Sequence, residues 1–160
     1  MPDISAILGD LDAPFKFRKR PVALPGDLRP DWRLAVLMLI LRRCCNNGQS
    51  TLRRLHVLNW AIRSSASRDA FLRRLDGENN PDEVLVRYEP ALNRAIDLAR
   101  GLGFMTRVSG NRVRLTLSGS RLADDVDELK DVLVDEKLFL ARARGRVTEG
   151  AIQKLIKGEA

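Results

Sequence analysis

Histidine and cysteine are nearly absent from this sequence. Its 160 residues hold one histidine, His56, and two cysteines, the adjacent Cys44 and Cys45. Neighbours on a helix diverge by about 100°, so these two thiols cannot close an ordinary disulfide on each other. There is no third cysteine to pair with either, and the cysteine–histidine spacing of zinc sites is excluded as well. Long apolar runs are also missing. The longest, Leu34 to Leu41, is eight residues between Arg33 and Arg42, far short of the roughly 20 that a spanning helix needs. The opening MPDISAILGDLDAPFKF places acidic residues where a cleaved signal needs a positive region. These absences predict a soluble, cytoplasmic chain with no membrane partner, no metal and no cofactor.

What is abundant is aliphatic and basic. The chain is 44% apolar and 31% charged, enough to bury a core at one-domain length. Its formal charge is +7, and 22 of its 28 basic residues are arginine. Residues 1–122 hold 21 Lys and Arg against 12 Asp and Glu, whereas residues 123–160 hold 7 against 9. Guanidinium binds phosphate bidentately, so the balance points to an anionic partner. GC-rich codon usage produces the same excess, and charge alone does not decide between the two.

The chain divides into three parts. Residues 1–29 carry four prolines and a basic cluster, Lys16, Arg18, Lys19 and Arg20, with no sustained period; they read as an irregular arm. Residues 30–133 form the principal domain. Its first helix runs from Pro30 to Cys45, with Asp31 as the expected cap and Asn46-Asn47-Gly48 as the stop. Residues 34–41 are apolar all round, so this helix should lie centrally. Ser50 or Thr51 caps a second helix, and Ser67 opens a third segment that Gly77 stops. A turn over 77–82 leads to a short strand, Glu83 to Tyr88. Pro90 then sits in the first turn of a helix ending at Gly101 or Gly103. Residues 134–160 form a C-terminal helical extension, Val134 to Ala143 and then a helix opened by Val147-Thr148-Glu149.

The most specific local pattern follows Gly103. Phe104 to Val108 reads as a strand, Ser109-Gly110-Asn111 as a turn tolerant of positive φ, and Arg112 to Leu117 as a second strand. Arg112, Arg114 and Thr116 fall on one face, Val113, Leu115 and Leu117 on the other. Ser118 is the expected cap of the next helix, within Leu-Thr-x-x-Gly-x-x-Leu-Ala. The order predicts a mainly α fold: a winged helix-turn-helix with a small two- or three-stranded β wing and extra C-terminal helices.

No catalytic constellation emerges. His56 lies between Leu55 and Val57 and reads as a packed side chain, Cys44 and Cys45 as two buried small ones. The acidic run Asp124, Asp125, Asp127, Glu128 and Asp131 reads as a solvated helix face. The candidate DNA-binding residues are Arg107, Arg112 and Arg114 on the wing, with Asn93, Arg94 and Arg100 on the helix in the recognition position; Asp97 among them would repel phosphate. Ile152, Leu155 and Ile156 make a stripe too narrow for a free-standing helix. It requires a surface on its own module or on another chain, and these three are the candidate partner-binding residues.

Three stretches carry a resemblance: Asp31-Trp32-Arg33-Leu34-Ala35-Val36-Leu37, Leu55-His56-Val57-Leu58-Asn59-Trp60-Ala61, and Val84 through Tyr88-Glu89-Pro90-Ala91-Leu92 to Gly103-Phe104. Over residues 31–120 the chain resembles the small middle components of bacterial three-component ABC-ATPase systems, winged-helix accessory subunits encoded between an SMC-like ATPase and an effector. Lamassu-type anti-phage and anti-plasmid systems have a comparable subunit. The resemblance implies a non-catalytic subunit whose partners are that ATPase and effector, with DNA contact, while ATP and any nuclease belong to other chains. A free-standing winged-helix transcriptional regulator is the alternative.

Overall fold

The computed structural model describes residues 29–78 and 88–157. The expected arm, apart from Arg29, and the expected strand at 83–88, apart from Tyr88, lie outside the described residues. Helix α1 (Pro30–Cys44) leads through a left-handed turn at Asn47 and Gly48 into strand β1 (Gln49–Thr51), helix α2 (Leu52–Ile62) and helix α3 (Ser65–Leu75). Helix α4 (Pro90–Gly101) precedes a hairpin of β2 (Met105–Val108) and β3 (Arg112–Leu115), followed by α5 (Leu117–Glu128), α6 (Val134–Ala143) and α7 (Glu149–Lys157). The three strands form one antiparallel sheet in the order β1-β3-β2. Helix, strand, helix, helix, hairpin is a winged helix, here with α3 inserted and three helices appended.

Eight consecutive apolar residues leave a helix no polar face, and α1 is enclosed accordingly. Val36 to Leu41 are fully buried, with α2, α4, α5, α6 and β3 packed around them. The two C-terminal helices are part of the same enclosure. Phe139, Leu140, Ala143, Val147, Ile152 and Leu155 belong to one core cluster with the residues of α1 and α2. Phe71 of α3 meets Phe139 of α6 edge-on, ring centroids 5.8 Å apart. Residues 134–157 therefore complete the winged helix's core.

Three helix starts differ from the sequence reading. Arg29, not Asp31, occupies the cap position of α1, and no side chain closes it; Pro30 in the first turn removes one of the N–H groups a cap would serve. Ser64 caps α3, its hydroxyl accepting from the Ser67 amide at 3.1 Å. Thr116 caps α5 in place of Ser118, accepting from the Gly119 amide at 3.1 Å. Its hydroxyl also donates to the Gly103 carbonyl at 2.7 Å, so one side chain ends β3 and ties α5 to the base of the hairpin. The alternation consequently stops at Leu115, and Leu117, expected on the buried face, is 70% exposed. Gly119 is required by proximity. A Cβ there would sit 2.0 Å from the Phe104 carbonyl oxygen, closer than any side chain tolerates.

Candidate nucleic-acid interface

Helix α4 is fixed at its start by a half-buried charge cluster. Arg33 of α1 donates to both carboxylate oxygens of Glu89, at 3.0 and 2.9 Å. Asn59 of α2 donates to the same carboxylate at 3.1 Å, and Arg63 stands 3.3 Å away. The Arg33 hydrogen bond, aided by Asn59, holds the Glu89 carboxyl below its ordinary range against the opposing effect of burial. Leu92, Ala95, Ile96 and Ala99 then face the core, which leaves Asn93, Arg94, Asp97 and Arg100 exposed.

One of those four is already paired with another on the same helix. Arg100 pairs with Asp97 at 3.2 Å. Arg94 stands over a shallow cleft of about 280 Å³ between α1 and α4, beside Pro30, Arg33 and Leu98. His56 is a packed side chain, tilted on Tyr88 with ring centroids 4.7 Å apart, and burial lowers its pKa. Cys44 and Cys45 are both buried. Desolvation, with Cys45 beside it, pushes the Cys44 thiol up to about 12, so it stays protonated and poorly nucleophilic.

The wing divides its arginines between two faces. Directly paired residues of an antiparallel sheet point the same way. Arg112 pairs with Thr51 and Val108, and Arg114 with Gln49 and Thr106. Both arginines therefore project from the outer face, where they are exposed. Arg107 pairs with Val113 and belongs to the opposite face, though on the edge strand it too is exposed. The three expected wing arginines are thus not one surface; two are.

The candidate partner-binding stripe is corrected for two of its three members. Ile152 and Leu155 are buried in the chain's own core, and only Ile156, 41% exposed, is open. A nine-residue helix gains its stability from packing, and the module supplies that surface. Exposed apolar side chains gather elsewhere. Leu129, Val132, Val134 and Leu138, between 42% and 62% exposed, line the α5–α6 turn. The Lys137 ammonium donates to the Leu129 carbonyl at 2.5 Å, which ties the α5 end of this exposed apolar ridge to α6.

The acidic run is also partly engaged. Asp124 pairs with Arg42 at 2.6 Å and Asp127 with Arg43 at 2.5 Å, which pins α5 along the end of α1. Among the described residues, no group of three or more His, Cys, Asp or Glu could hold a metal ion, and no helix is long and apolar enough to cross a membrane. No protein-family model, no curated protein and no solved structure matches the chain.

Proposed function

We propose that this chain is a non-catalytic winged-helix accessory subunit of a prokaryotic SMC-like ABC-ATPase complex of the anti-phage or anti-plasmid kind. It docks on the ATPase through the ridge at the α5–α6 turn and helps engage DNA or the effector. The observation that carries this reading is the ridge itself. Of the nine large apolar side chains exposed among the described residues, four, Leu129, Val132, Val134 and Leu138, fall together in the segment 129–138, and clustered apolar exposure marks protein interfaces. The partner proposed is the one that the resemblance over residues 31–120 implies. The arginine face of the sheet supplies phosphate contacts that carry no sequence preference of their own. A free-standing regulator is less well supported, because Arg100, on the helix in the recognition position, is paired with Asp97.

Light scattering on a sizing column separates the two. An accessory subunit runs alone as a monomer and shifts into a complex when co-expressed with an SMC-like ABC ATPase of the same genome. A regulator forms a homodimer that ignores the ATPase.

A further inference from the structure

The outer face of the sheet continues into a second basic surface that lies away from α4. At the end of α1, a groove of about 750 Å³ is bounded by Arg42, Arg43, Arg54, Arg144 and the start of α7 at Thr148 and Glu149. A smaller cleft of about 310 Å³ adjoins it and shares Asn46, Asn47, Arg54 and Glu149; Arg112 of the wing forms its other side. The two clefts make one concave path from Arg112 to Arg144.

Charge along this path is uneven. Arg42 and Arg43 are neutralised by Asp124 and Asp127. Arg54 donates to the Cys44 carbonyl, which closes the end of α1, while its buried Nε has no hydrogen-bond partner among the described residues. Arg112, Arg114 and Arg144 form no ion pair among the described residues. One carboxylate opposes them: Glu149, held on the Thr51 hydroxyl at 3.0 and 3.2 Å. A concave surface lined by guanidinium groups focuses positive potential and favours a chain of phosphates.

We propose that a nucleic-acid backbone crossing the outer face of the sheet at Arg112 and Arg114 runs on into this groove, where Arg54 and Arg144 take its next phosphates. The inference rests on the DNA-engaging part of the function proposed above and assigns that contact a route, along the sheet and the α1–α7 groove rather than along α4. Phosphate here is bound for its charge, so every sequence is served alike.

The test is fluorescence anisotropy of a labelled mixed-sequence DNA duplex with the full chain across a salt series. Arg144→Ala should weaken binding and lower the slope of log affinity against log salt by about one, and Arg54→Ala with Arg144→Ala by about two. Arg54→Lys with Arg144→Lys should keep most of the slope. Glu149→Gln should tighten binding, an opposite effect that mere damage to the fold does not produce. Because Arg54 also closes α1, Arg144→Ala alone, at an exposed position, tests the groove without touching that closure. Parental affinity and slope in both alanine variants would overturn the groove and leave the sheet contact standing. Failure of the parent chain to bind any duplex would overturn the groove and the DNA contact together.

Discussion

Glu89 is the single side chain on which most of the architecture converges. It joins α1, α2 and the start of α4 through Arg33, Asn59 and Arg63. Arg33 is buried and Glu89 half-buried, so Glu89→Ala leaves a buried charge uncompensated and should cost about 3 kcal/mol in urea unfolding. Acid should act on the same cluster. The Glu89 pKa is lowered from its ordinary 4.5 in the folded chain, so its contribution is complete above that value and lost as pH falls through the lower folded one. His56 behaves alike at higher pH. Its pKa is lowered from 6.5, chiefly by burial, so stability is lost as pH falls from 6.5 toward its folded value. The melting temperature should therefore decline in two steps on acidification, and His56→Gln should remove the step nearer neutrality. A melting temperature level from pH 7 to 5 would contradict the placement of His56. The burial of His56 was legible in its apolar neighbours. The Arg33–Glu89 pair was not, because its partners are 56 residues apart and no local pattern records which charges meet.

At the scale of elements, the junction of hairpin and α5 sets the angle of the wing. Gly119→Ala should force the Phe104 carbonyl away from α5, since the added Cβ would lie 2.0 Å from that oxygen. The expected cost is about 3 kcal/mol, read from thermal melting, with chemical-shift changes confined to the hairpin and α5. A variant with parental stability would show that the two elements do not meet as described. The pattern Leu115-Thr116-x-x-Gly119 was visible in the sequence as part of a winged helix, and so was the Ser109–Asn111 turn, where Gly110 and Asn111 take positive φ. The exact starts of helices were less visible. Ser64 and Thr116 take the cap positions, and Ser67 and Ser118, three and two residues later with a similar hydroxyl, lie inside their helices. Register was hidden as well. Alternation along β3 placed Arg112 and Arg114 together, but only the pairing of Arg107 with Val113 shows that it faces the other way.

Across the whole molecule, the order of helices and strands fixed the fold class, while burial decides what the surfaces do. Ile152 and Leu155 read in sequence as a stripe that needs a surface, on its own module or on another chain, and the packing of α7 supplies the first of these. Truncation after Gly145 should therefore destabilise the chain by about 5 kcal/mol, because Val147, Ile152 and Leu155 leave the core. A truncated chain that melts like the parent would return α7 to the role of a docking element. The ridge should behave oppositely: Val134→Asp with Leu138→Asp alters exposed positions and should leave the melting temperature near the parent's. That pair gives the most direct test of the account, affinity purification of the parent and the double variant from native cells at equal expression, with bound proteins identified by mass spectrometry. The account predicts an SMC-like ATPase in stoichiometric amount with the parent and its loss with the variant. Equal recovery of that ATPase by both, or a parent that carries only its own promoter DNA and no ATPase, would contradict it.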